Sequence, residues 1–162
     1  MPHLASCLWF NGDAEEAAEF YVSLFPNSRI TSVSRYSDDP SGQAPFPGGT
    51  AIVVEFELDG RALQALNGGP QFPPTEAYST MVLCEDQAEV DHYWDGFIGG
   101  GGTESQCGWL KDAWGVSWQI VPKGLAELLA DDTDGRSQRA LQAMFGMKRL
   151  VIADLEAAAD GR

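Results

Sequence analysis

Asp13–Tyr21 reads DAEEAAEFY, and Asp86–Trp94 reads DQAEVDHYW. At a constant shift of 73, Asp13 lies over Asp86, Glu16 over Glu89, and Phe20-Tyr21 over Tyr93-Trp94. Each segment starts with an aspartate able to cap a helix and carries a glutamate three residues on, an analogue of the capping box with Asp in the Ser/Thr place. In the first, Ala17, Phe20, Tyr21, Leu24 and Phe25 recur at helical spacing and form one apolar stripe. Working outward, each helix has a short apolar strand pattern before it and three after it. In the first block these are Leu4–Phe10, then Arg29–Tyr36, Thr50–Leu58 and Arg61–Leu66, with Asp59-Gly60 as a tight hairpin turn. In the second they are Ser79–Cys84, then Thr103–Gln106, Gly108–Lys111 and Val116–Val121, with Asp112–Gly115 closing the last hairpin. At a shift of 55, Gly60 lies over Gly115 and Gln64 over Gln119.

The ordered agreement of caps, aromatics and hairpin glycines predicts a duplication. Neither half can bury its sheet face well alone. The expected fold is α+β: two tandem βαβββ modules forming a curved mixed sheet around a cavity, helices outside, with a short C-terminal helical tail. The expected organisation is a single domain over 1–162, with repeat 1 at about 4–69, a Pro/Gly-rich linker at 67–77, repeat 2 at about 78–122 and the tail at 123–162. Leu141, Met144, Phe145, Met147 and Leu150 give the tail an apolar stripe suited to core or dimer contact.

Twenty-four acidic residues against ten Lys and Arg give a formal charge of −14. Phosphate backbones and anionic membranes are bound through clustered cations, so neither is an expected partner. No apolar run approaches a membrane span, and the N-terminus MPHLASCLWF lacks the charge and apolar core of a signal peptide. The expectation is a soluble, cytoplasmic protein. Cys7, Cys84 and Cys107 are odd in number and form no CxxC pair, so buried free thiols are expected rather than disulfides or zinc.

The segment Cys107–Pro122, CGWLKDAWGVSWQIVP, places a glutamine inside an apolar strand. Alternate strand residues share a face, so Val116, Trp118 and Ile120 fall on one side and Ser117, Gln119 and Val121 on the other. Ala62, Gln64 and Leu66 are the equivalent set of the first repeat. A buried amide without partners costs roughly 1–3 kcal/mol. Either each glutamine ties a neighbouring backbone group, or the two supply the polar spot of a largely apolar pocket. The candidate ligand-binding residues are Gln64, Gln119, Ser79, Cys7, Trp9 and Ser117, with Trp9 lining the pocket if it shares the inward face of the first strand with Cys7. Asp59 and Asp112 sit in the two hairpins, where turn capping is the expected role.

The stretches LWFNGDAEEAAEFYVSLFPNSRI, LQALNGGPQF, CEDQAEVDHYW and CGWLKDAWGVSWQIVP resemble the PhnB-like branch of the vicinal oxygen chelate superfamily, which includes glyoxalase I, extradiol dioxygenases and bleomycin- and fosfomycin-resistance proteins. This branch is often labelled a 3-demethylubiquinone-9 3-methyltransferase domain. The resemblance runs from about residue 8 to residue 122, with an echo in MKRLVIADLEAA. It implies a homodimer. It also implies, in metal-dependent members, four His or Glu ligands from the first and last strands of each repeat. Those positions fall at about Ala5 (or Ser6), Gln64, Ser79 and Gln119. None is His or Glu, so no functional metal site is expected. His3 lies near the first position but in the terminus, and His92 is expected to face solvent from the second helix. The label implies methyl transfer, yet Gly99–Gly102 follows a helix and precedes a strand, the wrong order for a nucleotide-cradling loop. No cofactor is expected. No His is placed to activate Ser79, Ser117 or Cys7 as a nucleophile. The expected function is binding of a small organic molecule in a metal-free cavity. The alternative is an enzyme: a metal-dependent lyase or dioxygenase, or the methyltransferase of the label.

Overall fold

Strand alternation fixes which side of each sheet packs on its helix. The computed structural model describes residues 4–162, and His3 lies outside them. The chain divides between Pro74 and Thr75 into two compact units. The first runs β1 (Ser6–Phe10), α1 (Ala14–Leu24), β2 (Arg29–Arg35), β3 (Ala51–Leu58) and β4 (Arg61–Asn67). The second runs β5 (Thr80–Cys84), α2 (Gln87–Gly99), β6 (Thr103–Glu104), β7 (Trp109–Lys111) and β8 (Ser117–Pro122), followed by α3 (Leu125–Ala130), α4 (Arg136–Phe145) and α5 (Ile152–Ala159). The four-stranded sheets have the same order, β1-β4-β3-β2 and β5-β8-β7-β6. In both, the first strand pairs parallel to the last and the other pairings are antiparallel. The duplicated βαβββ plan is therefore present. The hairpin glycines Gly60 and Gly115 adopt nearly the same left-handed φ, 81° and 84°, which an L side chain tolerates poorly.

In unit 1, Leu8, Phe10, Val54, Phe56, Leu63 and Ala65 turn to α1 and are buried. Ala14, Ala17, Ala18 and Tyr21 face them from the helix, fully covered. The small alanines bring the helix close, and Tyr21 stacks on Phe56 at 6.1 Å. Phe20, Leu24 and Phe25 of the expected stripe are only half-buried.

The cap of α1 differs from the expected one. Asp13 occupies the N-cap position of α1 but makes no side-chain capping bond. The Asn67 carboxamide, arriving from the end of β4, accepts from Ala14 N at 3.1 Å and from Gly12 N at 2.8 Å instead. In unit 2 the expected cap holds: Asp86 accepts from Glu89 N at 3.0 Å, and Glu89 accepts from Glu85 N at 2.8 Å. Asn67 pairs with Phe10 at the end of the parallel ladder, where Pro122 pairs with Cys84. Proline has no side-chain hydrogen-bonding group, so the second repeat takes its cap from Asp86.

In unit 2, Val90, Trp94 and Phe97 of α2 pack on Leu110, Trp118 and Ile120, all buried. Phe97 and Trp118 lie 4.7 Å apart between ring centres. The tail does not form the single expected stripe, because α4 stops at Phe145 and the chain changes direction. Leu150 is fully buried, whereas Leu141 and Phe145 are exposed. Cys107 N donates to Met147 O at 2.8 Å and Gly108 N to Lys148 O at 2.7 Å, which lays the tail along this edge. The Gln87 amide then clamps it, donating to Leu150 O at 3.1 Å and accepting from Ile152 N at 2.9 Å. Among the described residues, no helix is long and apolar enough to cross a membrane.

Candidate functional site

The face of the unit 1 sheet opposite α1 carries its chemistry in rows set by the ladder. Cys7 lies opposite Gln64, Gln64 opposite Glu55, and Glu55 opposite Ser32. The next row is Trp9, Leu66, Val53 and Ser34. On the other side, Ala62 pairs with Glu57 and Glu57 with Arg29. A hollow of about 310 Å³ opens on this face, its lining including Ala5, Cys7, Glu55, Glu57, Ala62 and Gln64.

These side chains differ in what already occupies them. Glu57 is ion-paired with Arg29 at 2.7 Å. Glu55 is exposed and Gln64 half-buried, and among the described residues neither side chain has a hydrogen-bond or ion-pair partner. Cys7 is exposed, yet partial burial pushes its thiol above the ordinary range. Trp9 shares the face of Cys7 but is not part of the lining of the hollow. Its indole N–H donates to Gly69 O at 2.8 Å and its ring meets Phe72 edge-on at 5.0 Å. The indole thus straps down the segment after β4. A Cβ on Gly68 would fall inside that indole, so Gly68→Ala is expected to cost about 1–3 kcal/mol by overpacking and to move tryptophan emission to longer wavelength. Urea titration with emission readout checks both.

The corresponding face of unit 2 brings Ser79 and Gln119 together: Gln119 Nε2 donates to Ser79 Oγ at 2.8 Å. Gln119 also lies opposite Met81 and Trp109, and Met81 and Leu83 are exposed. Ser117 is on this face but buried. His92 is exposed on α2 and meets Tyr93 edge-on. Asp112 is buried within the last hairpin, where Oδ1 accepts from Trp114 N and Val116 N and Oδ2 accepts from the Trp118 indole at 2.9 Å. All of these bonds hold its own turn and strand.

Glu55 escaped the sequence reading, although the signal was present. A two-residue turn at Asp59-Gly60 pairs Leu58 with Arg61, and counting back pairs Glu55 with Gln64.

The donors present do not fit a divalent ion. Glu55 is a single carboxylate left unpaired in the hollow among the described residues, the amide oxygen of Gln64 opposite it is neutral, burial disfavours the Cys7 thiolate, and the Gln119 amide is bonded to Ser79, which leaves too few charged donors. Among the described residues, no group of three His, Cys, Asp or Glu side chains is placed to hold a metal. An adenosyl methyl donor does not fit Gly99–Gly102 either. Gly100 N, Gly101 N and Gly102 N donate to Gly96 O, Ile98 O and Phe97 O, so those amides close α2 rather than cradle a ligand. A Cβ on Gly102 would lie 2.6 Å from Lys111 O, so the glycine is needed by the chain's own packing.

The thiols separate by environment. Burial, with Glu89 nearby, pushes Cys84 up to about 12. At pH 8 only about 10⁻⁴ of such a thiol is thiolate, the form that reacts. A disulfide reagent is therefore expected to modify Cys7 in the native protein and Cys84 only on unfolding, as peptide mass analysis would show.

The sequence profile of the 3-demethylubiquinone-9 3-methyltransferase family matches residues 2–121. Among solved structures, a PhnB protein from Bacillus cereus is 33% identical over 75% of this chain and 99% of its own, with a TM-score of 0.65. A Pseudomonas aeruginosa protein superposes with a TM-score of 0.62 at 18% identity, covering 76% of this chain and 98% of its own. The fosfomycin resistance protein FosX of Listeria monocytogenes, solved with Mn(II) and sulfate, gives 0.55 at 14% identity over 80% of this chain and 95% of its own. A comparison with curated proteins returned no match. The last two likenesses concern the fold alone. With nearly three quarters of its length matched by the profile, the chain belongs to the PhnB-type 3-demethylubiquinone-9 3-methyltransferase family.

Proposed function

We propose that the unit 1 hollow binds a small organic molecule without a metal ion. The observation that carries this reading is the Gln64 carboxamide, half-buried in a cavity of about 310 Å³ beside Glu55 and without a hydrogen-bond partner among the described residues. A polar group held in a concave surface with its capacity unspent is what orients a ligand. Ala5 and Ala62 supply apolar surface beside it. The family description carries methyl transfer, but the glycine turn supports no adenosyl donor site, so binding is the better reading. Titration of labelled protein with a panel of small aromatic compounds, followed by NMR, tests it. Binders are expected to move the resonances of Cys7, Glu55 and Gln64, and Gln64→Leu to weaken them about tenfold by removing one hydrogen bond. Stoichiometric zinc, manganese, nickel or iron in protein purified without chelator would overturn the metal-free reading.

A further inference from the structure

Resting on that reading of the hollow, we infer that its ligand is an organic cation: a protonated amine on a small apolar or aromatic body. Of the two carboxylates in the hollow, Glu57 is neutralised by Arg29 at 2.7 Å, whereas Glu55 has no cation against it among the described residues. Any molecule seated over this row strips water from Glu55. An anion would bring a second negative charge to a group already losing solvation. A neutral molecule leaves the carboxylate charge uncompensated, apart from any hydroxyl it offers. A protonated amine replaces the lost water with a charge-assisted hydrogen bond, roughly twice as strong as a neutral one.

The neighbouring groups agree with that choice. Gln64 lies directly opposite Glu55 across the ladder and adds a carbonyl acceptor for a second ammonium N–H. The lining of the hollow also includes Ala5 and Ala62, apolar surface for the body of the molecule. The field of the whole chain has the same sign. At a formal charge of −14 it concentrates cations and repels anions before any contact is made.

Three probes of one shape and different charge decide the matter: phenethylamine, 2-phenylethanol and 3-phenylpropionate, each titrated into the intact labelled protein and followed by NMR. The amine is expected to move Cys7, Glu55 and Gln64 resonances at a concentration at least about tenfold below the alcohol, with 3-phenylpropionate weakest. Added salt should weaken the amine and leave the alcohol unchanged. Glu55→Gln should bring the amine down to the alcohol's level. Glu127→Gln on α3, outside the hollow, should change nothing. Because Glu55 is exposed and without partners among the described residues, its substitution leaves the fold intact. If 3-phenylpropionate or the alcohol binds at these residues as tightly as the amine, or if Glu55→Gln leaves amine binding unchanged, the cation assignment falls while the binding reading stands. If none of the three probes moves these resonances, the binding reading falls and takes the cation assignment with it.

Discussion

Asp112→Ala is expected to destabilise the protein by about 3–5 kcal/mol. The carboxylate is 4% exposed and accepts from two backbone amides and one indole. Hydrogen bonds to charged groups contribute roughly 1.5–3 kcal/mol each, and a buried donor left without an acceptor costs about 1–3 kcal/mol. Val116 and Trp118 are both buried, so after truncation neither Val116 N nor the Trp118 indole has water to turn to. Trp118 also packs on Phe97 at 4.7 Å, so its displacement would spread into the contact with α2. Asp112→Asn separates the contributions. The amide oxygen can keep the backbone bonds at Trp114 and Val116, while its NH₂ must face the indole N–H, donor against donor. It is expected to lose about 2–3 kcal/mol, less than alanine. Urea denaturation with an unchanged slope is the measurement. A loss under about 1 kcal/mol for alanine would mean that the turn re-forms around water and that the carboxylate is not its organiser.

That a buried acid serves structure in one unit while an exposed acid lines a hollow in the other shows where sequence reading succeeds. The duplication was legible because helix patterns, hairpin glycines and strand alternation each repeat with a constant shift, and both sheets took the same strand order. Asp112 was legible as a turn residue because hairpin position alone implies it. Glu55 was harder. On a strand reading TAIVVEFEL it has the look of an ordinary solvent-side glutamate, and only the hairpin register places it against Gln64. The two glutamines, matched in sequence, then part company. Gln119 is satisfied by Ser79, which sits outside the strand proper and is brought in by chain geometry, whereas Gln64 has no such neighbour among the described residues. Position in a repeat predicts the face of a side chain; what stands beside it is a tertiary fact. The tail was least legible. Its apolar residues suit one continuous helix, but α4 ends at Phe145 with Gly146 as its C-cap, and the backbone bonds that Met147 O and Lys148 O accept from Cys107 N and Gly108 N redirect the chain.

The same limit explains the misplaced cap, and the residue that supplies it gives the other large effect. Asn67→Leu is expected to cost about 3–5 kcal/mol, as much as the loss of Asp112. Its carboxamide is fully buried, accepts from Gly12 N and Ala14 N, and donates to Gly12 O at 3.1 Å and Ala51 O at 2.9 Å. One side chain thereby joins the turn after β1, the first turn of α1, and the start of β3. Leucine is nearly isosteric, so the cost would measure four orphaned backbone groups rather than a cavity. Asn67→Asp is the sharper test. It keeps both acceptor bonds and strengthens them with charge, as a helix N-terminus favours, but it turns oxygen lone pairs on two carbonyls that had received N–H. If capping alone mattered, aspartate would be neutral or stabilising. If the amide's donors matter as well, aspartate is destabilised at neutral pH by about 2–4 kcal/mol, and the deficit shrinks in acid as the new carboxyl takes up a proton and regains a donor. Denaturation midpoints of the two variants at pH 7 and pH 4 distinguish these outcomes. Only the amide uses all four of its hydrogen-bonding positions at this junction, and for that reason the cap of α1 comes from a strand 53 residues away rather than from Asp13 beside it.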